Sequence, residues 1–160
     1  LIVFNSSKVV VTCGLDSTII VWNPWDGRRM MAVKEAHTKS IHAEIIPIEI
    51  TAASFDPGYQ RIITGAHDGT LKVWNFNTGT CLRNMKIEKN CEVKRIIWVK
   101  NRILVMGWNR RVTEFGDSGE TVSAAGEFYK NWDLRHREDI SSAAVRVPQT
   151  IVTGKIWLKS

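Results

Sequence analysis

Thr64-Gly65-Ala66-His67-Asp68-Gly69-Thr70-Leu71-Lys72-Val73-Trp74 repeats the spacing of Thr12-Cys13-Gly14-Leu15-Asp16-Ser17-Thr18-Ile19-Ile20-Val21-Trp22. Thr to Asp is four residues in both, and Asp to Trp is six. A weaker third copy, Val105-Met106-Gly107-Trp108-Asn109-Arg110-Arg111-Val112-Thr113-Glu114-Phe115, keeps both intervals with Val for Thr, Asn for Asp and Phe for Trp. A fourth begins at Thr150-Ile151-Val152-Thr153-Gly154, then runs into Lys155-Ile156-Trp157-Leu158 where the Asp-Gly turn belongs. The copies start at residues 12, 64, 105 and 153. Such a period is too long for a short solenoid repeat and suits a unit of four strands.

Each copy reads as β-structure. Val9-Val10-Val11 and Ile62-Ile63-Thr64 are short apolar runs. Residues 18–22 and 70–74 are rich in the β-branched and aromatic side chains that fit a pleated surface. Asp16-Ser17 and Asp68-Gly69 supply tight turns between these strands. Gly27, Gly79 and Gly119 close a second turn, after which strands are expected over 29–34, 81–87 and 120–123. A clipped strand near 1–5 would open the first unit.

These residues resemble the WD-repeat β-propeller family. The likeness is carried by Ala36-His37, at a Gly-His-like position, and by residues 12–23 and 64–75. It implies an all-β fold: a partial propeller of about three and a half four-stranded blades, with the ring not closed. Blade one would cover about 1–34, blade two about 35–88 and blade three about 89–124, with a loop over 125–138. Blade four would start at about 139–154, before an atypical tail over 155–160. Because propellers typically have four to eight blades, the remaining blades of the same protein are expected partners. The chain is also similar to ciliary WD-repeat proteins that carry EF-hand-like segments elsewhere, which implies an axonemal or other cytoskeletal setting. No acidic twelve-residue loop occurs here, so calcium binding does not carry over.

The resemblance also implies a structural hydrogen-bond network of His37, Thr64, Asp68 and Trp74, with Thr12, Asp16 and Trp22 as the first-repeat counterparts. A buried carboxylate must be paired or hydrogen-bonded, and a satisfied network stiffens the blade. The competing reading, a His-Asp-Thr catalytic set, lacks an evident nucleophile and oxyanion site. The third copy has lost the Asp and the Thr and is expected to lean on packing rather than polar bonds.

Composition narrows the function classes. The 160 residues are 44% apolar and 24% charged, as in an ordinary globular protein. No apolar run approaches the roughly 18 residues of a membrane-spanning helix, so no membrane is expected. Cys13, Cys81 and Cys91 are odd in number and unpaired in spacing, which suits free thiols and a cytoplasmic setting. The missing initial Met reads as the interior of a longer chain or an incomplete one. His37, His42 and Glu44 match no metal-ligand spacing. Phosphate-binding glycine loops and a Gly-x-Ser-x-Gly elbow are absent from the sequence. No cofactor, metal or enzymatic activity is therefore expected.

Of the net charge of +6, residues 72–111 carry +8, with ten Lys or Arg against Glu88 and Glu92. That stretch would suit an acidic partner; the plainer reading is solvated outer strand faces guarded by cations. Two connections, 35–49 and 124–139, are longer than a blade needs, and propeller topology puts both on the face that carries the turns at His67 and Trp108. Long loops gathered on one face of a repeat array often bind, and aromatics and Arg anchor interfaces. The candidate interface residues are His67, Trp108, Arg110, Arg111, Phe128, Tyr129, Trp132 and Arg135. The leading expectation is a non-enzymatic protein-interaction scaffold of cilia, axoneme or cytoskeleton. The alternatives are RNA binding through 72–111, and an enzyme whose site is completed by further blades.

Overall fold

Strands that bury alternate residues on one side must stack that side against something. In the computed structural model, which describes residues 2–5, 9–117, 129–132, 136–146 and 150–154, they stack on one another as successive antiparallel sheets. The first sheet is β1 (Ile2–Asn5), β2 (Val10–Cys13), β3 (Ile19–Trp22) and β4 (Arg29–Val33), in chain order. A separate hairpin follows, β5 (Thr38–Ile41) and β6 (Glu44–Pro47). The second sheet is β7 (Ile50–Phe55), β8 (Arg61–Ala66), β9 (Thr70–Asn75) and β10 (Thr80–Lys86). The third is β11 (Val93–Val99), β12 (Arg102–Gly107), β13 (Val112–Gly116) and β14 (Tyr129–Asn131). Paired β15 (Ser142–Arg146) and β16 (Thr150–Gly154) begin a fourth. The chain is thus an all-β, partial β-propeller, with the ring open among the described residues.

The repeat survives at the level of register. Thr12 lies across from Ile20, Thr64 from Lys72 and Val105 from Thr113, so each repeat makes the same hairpin. The residue after the turn Asp or Asn has a left-handed backbone in all three copies: Ser17 (φ 61°), Gly69 (φ 88°) and Arg110 (φ 60°). Only Gly adopts this without steric cost. At Gly69 a Cβ would also meet the Glu88 carbonyl oxygen at 2.4 Å, so the 87–92 loop can lie flat on the turn only because the residue is Gly.

Three apolar seams join the sheets. Val11, Cys13, Ile19 and Val21 of the first sheet pack with Ala53, Ile62 and Trp74 of the second. Ile63, Leu71, Val73 and Met85 pack with Ile103, Val105 and Phe115 of the third. Leu104, Met106 and Val112 pack with Ile140 and Ala143. Each large side chain removed from water contributes about 1.5–3 kcal/mol, so the seams hold the array. The inner strands β1, β7, β11 and β15 stand beside one another in that order.

Blade three closes differently from the sequence expectation. Its outer strand is Tyr129–Asn131, paired with β13 from Thr113 to Phe115, and the Trp132 amide continues that side by donating to the Val112 carbonyl at 3.0 Å. Part of the expected 125–138 loop is therefore strand. The expected strand over 120–123 lies outside the described residues.

Candidate functional site

The turn between β8 and β9 holds Asp68, and the connection leaving blade one holds His37, which is fully buried. His37 Nδ1 lies 2.8 Å from Thr70 Oγ1, and Nε2 lies 2.8 Å from Thr64 Oγ1. The Trp74 indole donates to Thr64 Oγ1 at 2.9 Å, and the Thr70 hydroxyl donates to Asp68 Oδ1 at 2.7 Å. Proton directions follow from the two ends, because a carboxylate can only accept and an indole N–H can only donate. Thr70 gives its hydrogen to Asp68, so its oxygen accepts from His37 Nδ1–H. His37 Nε2 is then bare and accepts from the Thr64 hydroxyl, whose oxygen receives the indole hydrogen. The imidazole is neutral and held as one tautomer. Burial, with Lys72 adding to it and Asp68 opposing it, lowers its pKa to about 4. Asp68 therefore reaches His37 through Thr70, a residue that the four-residue set taken from the sequence leaves out.

Ser17 is a second residue that sequence reasoning missed. It is fully buried, its Oγ accepts from the His37 amide at 2.7 Å, and its hydroxyl donates to the His37 carbonyl at 2.7 Å. The turn of blade one thus grips the backbone of the histidine that serves blade two. The available signal was Ser at the position where the second repeat has Gly.

Thr12, Asp16 and Trp22 make the matching half-network. Trp22 donates to Thr12 Oγ1 at 2.9 Å, and the Thr18 amide donates to Asp16 Oδ1 at 3.1 Å, as the Thr70 amide does to Asp68 at 3.0 Å. Blade three keeps polar bonds as well as packing, which corrects the sequence expectation. Buried Asn109 donates from Nδ2 to Thr113 Oγ1 at 3.3 Å, and Thr113 donates to Asn131 Oδ1 at 2.8 Å. Thr113 sits one strand over from Val105, so the hydroxyl lost from one strand is recovered on its neighbour. In blade four, His136 Nε2 lies 2.6 Å from Thr153 Oγ1, the same pairing as His37 with Thr64. His136 is thus a clasp residue rather than a plain loop residue. Its Thr lies 17 residues on, against 27 for His37. The excess of ten matches residues 38–47, the β5–β6 hairpin, whose base is closed by the Ile48 amide donating to the His37 carbonyl at 2.9 Å.

Backbone bonds knit one face from several segments. The His67 amide donates to the Glu49 carbonyl, the Ile87 amide to Gly69, the Trp108 amide to Glu92 and the His136 amide to Arg110. Leu15, His67 and Trp108 occupy the same turn position in successive blades. Leu15 is 67% exposed and Trp108 42%. The His67 ring meets Trp108 edge-on at 5.3 Å, and the Lys94 ammonium lies 5.7 Å from the Trp108 ring centre. Glu92 sits buried beneath them, paired with Lys94 and, at 3.3 Å, with His67 Nδ1.

The other candidate interface residues divide. Arg110 is exposed, with one guanidinium bond to the Arg137 carbonyl at 3.3 Å. Arg111 is largely buried, its side chain 13% exposed and 3.9 Å from Glu88, which removes it from the available surface. Trp132 donates its indole hydrogen to Glu114 at 3.0 Å and packs against the third seam, so it is anchored on its own blade. Tyr129 is in β14, and Phe128 and Arg135 lie outside the described residues. Part of the basic stretch is likewise committed. Lys72 and Arg83 bond carbonyls of Ala36 and Gly116, while Lys86, Lys94, Arg102 and Arg111 face Asp68, Glu92, Glu114 and Glu88. Lys89, Arg95 and Lys100 stay exposed, so part of the +8 read in sequence remains on the surface.

Comparisons with known proteins agree with this geometry. The family described as WD domain, G-beta repeat matches residues 2–23 and 32–75. The chain is 52% identical over 148 residues to the WD repeat-containing protein on Y chromosome of Drosophila pseudoobscura pseudoobscura, covering 91% of this chain and 13% of that protein. The Drosophila grimshawi protein of the same description is also 52% identical over 148 residues, with 12% of its length covered. The chain thus spans about an eighth of the length of these relatives. Among solved structures, the computationally designed Ika4 protein superposes with a TM-score of 0.66 at 20% identity, covering 97% of this chain and 89% of that one. The designed Ika8 protein gives the same score at 23% identity, over 95% of this chain and 41% of that one.

Proposed function

Because the chain is a WD-repeat polypeptide folded as a partial β-propeller, we propose that it is a non-enzymatic protein–protein interaction scaffold, a segment of a larger WD-repeat protein. The observation that carries this is the knitted face, where one turn position presents Leu15, His67 and Trp108 in successive blades. A half-exposed Trp fixed by a backbone bond, a ring contact and an ammonium loses little freedom on binding, which is what an interface anchor requires. The His, Thr and Asp residues that could suggest catalysis are committed to one another inside the blade. Further blades of the same polypeptide are the first partners of this chain, consistent with the much greater length of its relatives. Cytoplasmic placement in cilium, axoneme or cytoskeleton belongs to the same proposal and rests on sequence likeness.

The test is to express the full-length protein with His67→Ala and Trp108→Ala together and to compare co-purifying proteins with those of the parent. Both side chains are substantially exposed and Glu92 keeps Lys94 as a partner, so circular dichroism should be unchanged and melting should fall only slightly while partners are lost. An unchanged set of partners would refute this face. A tagged protein spread evenly through the cell, away from cilia and filaments, would refute the placement.

A further inference from the structure

We propose that the outer edge of β5 is a docking edge for an extended segment of a partner protein, which adds to the hairpin as a third strand. This goes beyond the scaffold reading and uses backbone groups of β5 rather than the Trp108 ring. All eight strand residues of β5 and β6 are exposed, and the described sheet contains these two strands alone. Two-stranded ribbons are marginal in water, and a third strand with an apolar face is the ordinary remedy. Ile41 and Ile46 occupy one face and Ile45, 65% exposed, the other.

Register decides which edge is open. His42 (φ 50°) and Ala43 (φ 67°) form a two-residue turn with both residues left-handed, which makes Ile41 and Glu44 the first mutually bonded pair. Alternation then turns Lys39 and Ile46 inward, and the Ile48-to-His37 bond continues the pattern at the base. Thr38 and Ser40 on β5, and Ile45 and Pro47 on β6, direct their backbone groups outward. Pro47 has no N–H, so the β6 edge is incomplete, whereas the β5 edge offers donors and acceptors at both outward residues. The side chains specify the partner. An added strand meets Lys39 and Ile41 on one face, so it should carry a carboxylate opposite Lys39 and a β-branched apolar residue opposite Ile41.

The experiment uses the whole 160-residue chain and a fluorescein-labelled heptapeptide alternating Val and Thr around one Asp, read by anisotropy. The parent should bind it. The same peptide N-methylated at alternate residues keeps its side chains but cannot pair with an edge, and should bind at least about tenfold more weakly. Ser40→Pro removes one of the two outward donors of β5 and should weaken binding severalfold. Ile45→Pro, on the opposite edge, should leave it unchanged. Equal binding of the two peptides to the parent would overturn the proposal whatever the variants do, and so would full binding by Ser40→Pro or loss confined to Ile45→Pro. Trp108→Ala should leave peptide binding intact. A failed peptide alongside partners lost on Trp108 substitution would sink the edge and spare the scaffold.

Discussion

At the scale of single residues, His37 decides how the blade one–blade two junction responds to acid. Its folded pKa of about 4 lies below the usual 6.5, so between those values the unfolded chain binds more protons than the folded one. The neutral imidazole's contribution is complete above pH 6.5 and is lost as the pH falls towards 4, amounting to about 3 kcal/mol. Protonation would put a hydrogen on Nε2 against the Thr64 hydroxyl, which would have to turn towards the Lys72 carbonyl at 3.5 Å. Urea unfolding at pH 7 and pH 4.5 should therefore show a steeper loss in the parent than in His37→Gln. Equal slopes would mean that the histidine is not held neutral. The Thr-Asp-Trp spacing of this network was legible because it recurs. Thr70 and Ser17 were not, because a hydroxyl inside a strand or a turn carries no mark of what it will face once two blades are pressed together.

At the scale of elements, the β5–β6 hairpin stores strain where none is needed for pairing. Type I′ turns favour Asn-Gly, and here His42-Ala43 takes both left-handed positions. Exchanging the pair for Asn-Gly should leave the register intact and stabilise the hairpin by under about 1 kcal/mol. Amide exchange at Lys39 and Ile46 would read it, and faster exchange would show that the turn is not of this type. In the sequence, 35–49 looked like an overlong loop, because Thr38-Lys39-Ser40 reads as polar and the isoleucines beyond it align with no repeat. Likewise β14 was misplaced because a long connection separates it from β13. Strand position in the third blade is set by pairing with Phe115 and Thr113, which local sequence does not announce.

At the scale of the whole molecule, blades two and three are tied by charge as well as by the apolar seam. Arg61 makes two bonds to Asp117, at 3.0 and 2.8 Å, reaches Asp56 at 3.3 Å, and lies over the Trp98 ring at 4.7 Å. Arg61→Leu would strip the largely buried Asp117 of both guanidinium bonds, leave Asp56 only its backbone amide donors, and should cost about 3 kcal/mol, read as a lower urea midpoint. A loss within experimental scatter would mean that water replaces the guanidinium freely. The architecture as a whole was readable because two copies with identical internal spacing, followed by a weaker third, leave few alternatives. The distribution of charge over the surface was not, since which cations meet a carboxylate depends on pairing across turns, as Lys86 meets Asp68 and Arg102 meets Glu114.

The ten residues between His37 and Ile48 carry a last consequence. One repeat holds its histidine with that insert and another without it, and both histidines reach a threonine. The repeat therefore has a tolerant port at this point, where foreign sequence can be grafted and displayed on a rigid mount, and where descent could have tried out new appendages without reworking the blade beneath.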